Sequence, residues 1–220
     1  MDVEKKVSNF TIGSFCTEMT NYQTIVKEYL IKSIAKVEKD TEYKLPIPYI
    51  IKTIENTGNW KDNVAKKPRV ILDILYEIKT PLVFLDADCK IEQYPILFDQ
   101  IDSSYDIAFH MLDWSTWYGY KDSTVKELLS GTLWLNNNDK IKELCKEWYS
   151  ESLKQSIWEQ RVLSSLINKY NVKVFELPLE YCYIDSLPNG NVPLVKCDNA
   201  VVIRHFNLSR VMKKLLKRRR

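Results

Sequence analysis

The chain has 220 residues, of which 45% are hydrophobic and 28% are charged, and its formal net charge is +3. This length and composition suffice for a full hydrophobic core and argue against a disordered protein. The residues from Arg210 onward carry only basic charges, so the rest of the chain is acidic, which argues against nucleic acid as a general partner.

The number and spacing of the cysteines, and the lack of long apolar segments, bear on the cellular compartment of the protein. The cysteines are odd in number and no pair has the C-x-x-C spacing: Cys16, Cys89, Cys145, Cys182 and Cys197. This pattern predicts neither a disulfide framework nor a structural zinc site, and it favours a reducing environment. No segment resembles a signal peptide or a membrane span. We therefore expect a cytoplasmic protein.

The first part of the chain alternates strand and helix patterns. In chain order these are a strand at 10–16, a helix with apolar positions 26, 30, 34 and 37, a strand at 48–54, a helix with apolar positions 71, 74, 75 and 78, and a strand at 81–85. Gly13 in the first strand permits close approach to the backbone. Short connections between alternating strands and helices predict a parallel sheet.

Asp86 and Asp88 follow the strand at 81–85, which is apolar throughout and therefore reads as buried on both faces. In open α/β sheets, ligands bind outside the carboxyl ends of such strands. Two carboxylates at spacing i, i+2 suit Mg²⁺ or Mn²⁺ carrying a phosphorylated ligand. The alternative is that both side chains merely end a strand and cap a turn.

The second part of the chain is less regular. It predicts a strand at 131–135, a helix N-cap at 136–139, helical stripes at 141, 144, 145 and 148 and at 163, 166, 167 and 170, and strands at 172–175 and 200–203. We find no repeat or linker, so we expect one domain over 1–220, with a basic C-terminal helix or tail from about residue 207.

Three segments, in this order, resemble the nucleotide-diphospho-sugar glycosyltransferases of the GT-A fold, with the motif order of glycogenin-like enzymes. They are LDADC at 85–89, SGTLWLN at 130–136, and a late histidine, His205. The likeness runs from about residue 10 to about residue 206, as motif order rather than close identity. It implies an α/β protein with a single GT-A-like domain, built on a Rossmann-like mixed central sheet flanked by helices.

The resemblance also implies a cofactor and a donor. In such enzymes Mn²⁺ or Mg²⁺ bridges the diphosphate of the donor, which here would be a UDP- or GDP-linked sugar. Asp88 is then the expected direct metal ligand, Asp86 contacts both metal and donor, and His205 completes the set. For His205, a hydrogen-bonded histidine at a strand end is an equal alternative.

Donor contacts are expected at the first strand, in the stretch before the D-x-D strand and at the D-x-D itself: Phe15, Cys16, Lys67, Arg69, Asp86 and Ala87. Phe15 fits strand packing equally well. For either cation taken singly, a solvated helix start is the simpler interpretation.

Two carboxylates are candidates for the general base that an inverting transfer requires, Glu159 and Asp113. Glu159 also fits a favourable interaction with a helix N-terminus, and a retaining enzyme need not carry such a base. Trp114 and Trp117, in an aromatic stretch that we expect to be a loop, are predicted to contact the acceptor. Burial of the rings would explain that stretch equally well.

Other functions remain open. A sugar-phosphate nucleotidyltransferase has a related fold but should carry a Gly-rich phosphate loop, which Gly13 alone does not supply. A haloacid-dehalogenase-type phosphatase also uses a D-x-D, as a nucleophile on its first strand. In this chain the motif instead follows two βα units. A non-catalytic module that binds a sugar nucleotide would keep the fold without turnover.

We expect the acceptor to be a glycan, a lipid-linked sugar or a protein. The tail combines apolar positions 208, 211, 212, 215 and 216 with surrounding cations, which suits peripheral contact with anionic lipid. A packed C-terminal helix with a frayed basic end is the simpler expectation.

Overall fold

The computed structural model describes residues 7–40, 46–154, 158–186 and 193–208. The strands are β1 Thr11–Thr17, β2 Tyr49–Ile54, β3 Leu82–Leu85, β4 Cys89–Ile91, β5 Ile107–Asp113, β6 Lys126–Leu135, β7 Val174–Glu176, β8 Tyr183–Ile184 and β9 Ile203–His205. The α-helices are α1 Tyr22–Val26, α2 Lys32–Asp40, α3 Trp60–Ala65, α4 Lys67–Glu77, α5 Leu97–Gln100, α6 Trp114–Tyr118, α7 Asp139–Lys154 and α8 Glu159–Lys169. A π-helical turn, Lys27–Ile31, joins α1 to α2, and a 3₁₀ turn covers Leu179–Tyr181.

Six strands form a mixed central sheet in the order β2-β1-β3-β6-β5-β7. β1 pairs in parallel with both β2 and β3, as the alternating strand and helix patterns predict. β6 then runs antiparallel to both β3 and β5. The predicted α/β class with a mixed central sheet flanked by helices is therefore confirmed.

β3 lies at the centre of this sheet and is buried on both faces. Val83 and Leu85 belong to the core on one face, whereas Leu82 and Phe84 belong to the core on the other. All four side chains are fully buried. A strand without a polar face suits a sheet that is covered by helices on both sides.

The predicted apolar faces of the helices are buried as expected. Those of the first helical segment are Val26, Leu30, Ile34 and Val37, and those of α7 are Ile141, Leu144, Cys145 and Trp148. The predicted N-cap is also present, because the Asn138 side chain accepts a hydrogen bond from the Ile141 N–H at 2.9 Å.

Gly13 permits a close approach, as predicted. A Cβ at position 13 would lie 2.7 Å from Cδ1 of Leu82 and 3.0 Å from Cδ1 of Ile74. Glycine therefore lets β3 and α4 pack directly against the backbone of β1.

Several predicted bounds are wrong. The strand predicted at 131–135 begins at Lys126, because pairing with β5 extends it over a segment in which the adjacent Leu128 and Leu129 do not show strand alternation. The strand predicted at 200–203 begins at Ile203. The aromatic stretch predicted as a loop contains the helix Trp114–Tyr118, which Asp113 caps.

A smaller sheet, in the order β4-β9-β8, lies beside the end of β3. In it Cys89 pairs with His205 in antiparallel register. Because Asp88 directly precedes β4, this pairing brings the late histidine beside the D-x-D.

In the described ranges no helix is long and apolar enough to cross a membrane, and all five cysteines are free thiols. Nearly all of the predicted basic tail falls at 209–220, outside the described residues. The cytoplasmic location, the lipid contact and the single-domain assignment stay predictions.

Candidate functional site

A cleft of about 500 Å³ opens at the carboxyl ends of β1 and β3. This is the edge of an α/β sheet where ligands usually bind, and the volume is in the usual range for small-molecule sites. Asp86, Asp88 and His205, the three predicted metal ligands, all line it.

The two aspartates lie in the turn between β3 and β4 rather than on a strand. The Asp86 N–H donates to the Gly131 carbonyl at 2.9 Å, which ties the turn to β6. Asp88 is 9% exposed, and its Oδ2 accepts from the Leu208 N–H at 2.7 Å. The backbone of the segment that follows β9 therefore holds the Asp88 carboxylate in place.

His205 is buried, and burial lowers its pKa to about 4, so the imidazole is neutral at neutral pH. Its Nε2 lies 2.8 Å from the Thr132 hydroxyl. When Nε2–H donates to Thr132, the lone pair of Nδ1 is free to bind a ligand. Histidines that bind metals use this arrangement, in which the second ring nitrogen is fixed by a hydrogen bond.

Gly131 leaves a space between the proposed ligands. A Cβ at position 131 would lie 2.9 Å from Cε1 and 3.1 Å from Nδ1 of His205, and 3.2 Å from Oδ2 of Asp86. The Nδ1 and Oδ2 atoms therefore border one small space that a larger residue would fill.

These groups fit a hard divalent cation in part. Carboxylate oxygens and a neutral imidazole suit Mn²⁺, and burial followed by the charge of Asp86 raises the pKa of Asp88 to about 6, a repulsion that a cation relieves. Among the described residues no three His, Cys, Asp or Glu side chains are grouped closely enough to hold a metal ion. The set therefore suits an ion that takes further ligands from a bound phosphate, as Mg²⁺ does.

Gly131→Ala tests this space. The added methyl group should displace His205 and Asp86, and we expect metal-dependent ligand affinity to fall about 10- to 100-fold, the usual effect of disturbing groups that orient metal ligands. Calorimetric titration with Mn²⁺ and a nucleoside diphosphate measures it. Gly13→Ala, which crowds the core away from the cleft, should lower stability but leave this affinity unchanged. Equal affinities for Gly131→Ala and the wild type would contradict the assignment.

Lys67 forms a buried charge network beneath the D-x-D. Its Nζ lies 3.0 Å from Oδ1 of Asp86 and 3.1 Å from Oε1 of Glu159, and the side chain is 5% exposed. It also donates to the carbonyl and the hydroxyl oxygen of Ser130, both at 3.2 Å. Although burial lowers the pKa of Lys67, the charges of Asp86 and Glu159 outweigh it and raise the pKa, so Lys67 is a cation.

Glu159 is fixed by this network. Its Oε1 accepts from the Ser130 hydroxyl at 2.8 Å as well as from Lys67, and its carbonyl accepts from the Trp148 indole N–H at 2.7 Å. The side chain is 6% exposed. These contacts suit a residue that orients Lys67.

The remaining predicted donor residues divide. Phe15, Cys16 and Ala87 line the cleft together with Lys67. Arg69 instead pairs with Asp73 on the exposed side of α4, with Nε 3.0 Å from Oδ1. The structure therefore does not bring Arg69 to the cleft.

The acceptor and base candidates also divide. Trp114 lines the cleft, next to Tyr118 and Tyr120, whose rings stack with centroids 5.8 Å apart. Trp117 is 2% exposed and lies in a small core beneath α6. Asp113 caps α6 by accepting from the Ser115 N–H and hydroxyl, which lowers its pKa.

Several residues that line the cleft were not named as site residues from the sequence, among them Glu127 and Gln160, whereas Ser130 and Gly131 were named only as part of the motif at 130–136. Gln160 directly follows the candidate Glu159 in the sequence, and this neighbouring position could have indicated it. Glu127 carried no signal, because the strand pattern begins only at residue 131.

No protein-family model and no curated protein matches the chain. Solved structures do match. A glycosyltransferase involved in the glycosylation of the major capsid of PBCV-1 aligns with a TM-score of 0.62 at 12% identity, over 94% of this chain and 98% of that chain. The galactosyltransferase LgtC, in complex with donor and acceptor sugar analogs, aligns with a TM-score of 0.52 at 13% identity, over 90% and 87%. Mouse xyloside xylosyltransferase 1 aligns with a TM-score of 0.52 at 11% identity, over 91% and 98%.

Identities this low establish the fold rather than the reaction. These alignments cover 90–94% of this chain. The chain therefore has the GT-A glycosyltransferase fold.

Proposed function

We propose that the protein is a metal-dependent glycosyltransferase that moves a sugar from a UDP- or GDP-linked donor to an acceptor hydroxyl. The observation that carries the proposal is the convergence of Asp86, Asp88 and His205 in one cleft at the ends of parallel strands. The GT-A fold supports it, because the matching structures are those of glycosyltransferases.

We assign the nucleoside half of the donor to the end of β1. Phe15 and Cys16 line the cleft there, and Asn63 and Val64 of α3 also line it. These side chains are uncharged and suit a nucleobase and a ribose, whereas the diphosphate suits the end of the cleft that carries the D-x-D.

Asp88, Asp86 and His205 are the residues that would hold Mn²⁺ or Mg²⁺. Such an ion, when bound, offsets the negative charge that develops on the leaving nucleoside diphosphate. The protein orients these side chains before the donor binds: the Leu208 N–H holds Asp88, and Lys67 holds Asp86. Preset geometry of this kind lowers the entropic cost of reaching the reactive arrangement.

We assign Lys67 and Glu159 positioning roles rather than direct contact with the donor or acceptor. An ammonium group has three N–H donors, and Asp86, Glu159 and Ser130 offer acceptors to all of them. Glu159 in turn is engaged by Lys67 and Ser130. Asp113 is committed to capping α6, so it too is a poor candidate for the base.

We assign the acceptor to the aromatic side of the cleft. Trp114, Tyr118 and Tyr120 offer ring faces against which the C–H surface of a sugar packs. Trp117 lies in the core and supports this surface from below. A carbohydrate acceptor, free or carried by a lipid or protein, fits these side chains.

One assay tests the proposal: the purified protein is incubated with a panel of UDP- and GDP-sugars, with Mn²⁺ or with EDTA, and nucleoside diphosphate release is followed. We expect release from one donor class, dependent on the metal. Binding without release, with or without glycoside acceptors, would indicate a sugar-nucleotide-binding module. Parallel incubations test the two other enzyme classes. Release of pyrophosphate from a nucleoside triphosphate and a sugar phosphate would indicate a nucleotidyltransferase, and hydrolysis of phosphate monoesters would indicate a phosphatase.

A further inference from the structure

A continuous chain of hydrogen bonds links the aromatic side of the cleft to the buried Lys67 network. The Trp114 indole N–H donates to Oε2 of Glu127 at 3.2 Å. The Gln160 amide Nε2 donates to Oε1 of the same carboxylate at 2.8 Å. The Ser130 N–H donates to Oε1 of Gln160 at 3.1 Å, and Ser130 contacts Lys67.

This series of hydrogen bonds allows the Gln160 side-chain amide only one orientation. Ser130 presents a backbone N–H, which requires an acceptor, so the amide oxygen must face it. Glu127 presents a carboxylate oxygen, which requires a donor when ionised, so the amide nitrogen must face it. A flipped amide would set donor against donor at one end and acceptor against acceptor at the other.

Glu127 is therefore the central element, because each of its two oxygens accepts from a different residue of the cleft. One bond orients the Trp114 ring and the other orients the Gln160 amide. An amide nitrogen carries two N–H donors, so Gln160, which lines the cleft, has a second N–H besides the one that Glu127 accepts.

We propose that Glu127 is a positioning residue that holds the Trp114 ring and the Gln160 amide in register as one acceptor-recognition unit. This inference rests on the proposed glycosyl transfer and deepens it, because it names the groups that select the acceptor. The ring face packs on the sugar and the second amide N–H donates to one of its oxygens. Carbohydrate hydroxyls and ring oxygens accept such a bond.

Glu127→Gln tests this role with nearly unchanged shape. Glutamine offers one carbonyl oxygen where two donors, from Trp114 and Gln160, each require an acceptor, so one bond must be lost. We expect kcat/KM for p-nitrophenyl glycosides as acceptors to fall on the order of tenfold, mainly through KM. The affinity for the nucleotide donor should change little. Glu77→Gln, at a remote surface pair with Lys52, is the matched control.

The Trp114→Phe background distinguishes positioning from general damage. Phenylalanine keeps a ring face but removes the indole N–H, so a glutamine at position 127 can give its single carbonyl oxygen to Gln160. We expect Glu127→Gln to have little further effect in this background. An equal loss in both backgrounds would contradict the proposal.

Nuclear magnetic resonance tests the same unit without turnover. In ¹⁵N-labelled protein with UDP and Mg²⁺, Glu127→Gln should move the Trp114 indole and Gln160 amide signals. The Trp148 indole signal, whose N–H donates to the Glu159 carbonyl, should stay in place. Unmoved Trp114 and Gln160 signals would overturn the inference. If Glu127→Gln moved both signals but the wild type showed no turnover, the proposed function would be overturned instead.

Discussion

Asp88→Asn should lower metal-dependent turnover of the nucleotide sugar about a thousandfold, which corresponds to about 4 kcal/mol of lost transition-state stabilisation. An amide oxygen is a much weaker ligand for a hard cation than a carboxylate, and it carries no charge to hold the ion. The measurement is nucleoside diphosphate release at saturating Mn²⁺, together with the affinity for Mn²⁺ and donor by calorimetry.

The fold should survive this change. An asparagine at position 88 can still accept from the Leu208 N–H, and burying a neutral amide costs less free energy than burying a carboxylate. Asp73→Asn, at an exposed pair with Arg69 on α4, is the matched control and should leave turnover unchanged. If Asp88→Asn bound the metal and turned over the donor normally, the assignment of Asp88 as a metal ligand would be wrong.

Lys67→Met should lower the free energy of unfolding by about 3–5 kcal/mol. The substitution keeps the length of the side chain but leaves the carboxylate of Glu159, which is 6% exposed, without its cation. Breaking a buried ion pair on one side is costly because the remaining charge stays out of water. Denaturant unfolding with linear extrapolation to water measures the change.

The double variant Lys67→Met/Glu159→Gln separates charge from packing. It removes both members of the pair, so we expect most of the lost stability to return. Its activity should stay low, because Asp86 still lacks the group that orients its Oδ1. If the double variant were as unstable as Lys67→Met alone, packing rather than the unpaired charge would explain the loss.

Much of the fold was readable from local pattern. The apolar run at β3 and the helical spacing of α7 predicted buried elements, because periodicity reports which side of an element meets the core. The order of these elements predicted a parallel α/β sheet, and the resemblance in motif order implied the GT-A fold. The bounds of β6 were not readable, because Lys126 and Glu127 become strand only through pairing with β5.

The candidate site was partly readable. Asp86 and Asp88 stand out because they follow an apolar strand, and His205 because histidine is rare in this chain. Lys67 was named as a donor contact, but its burial between Asp86 and Glu159 gives it a different proposed role. Trp114 and Trp117 look alike in sequence, yet one lines the cleft and the other lies in a core.

Local sequence patterns predict the alternation of strands and helices in the first part of the chain and the position of two carboxylates at the end of a buried strand. Tertiary structure alone decided which distant residues share the cleft. The pairing of Cys89 with His205 brings the histidine to the D-x-D, and the contacts of Ser130 join Lys67 to Gln160. The physical reason is that periodicity is a property of neighbouring residues, whereas convergence depends on the register between segments far apart in the chain.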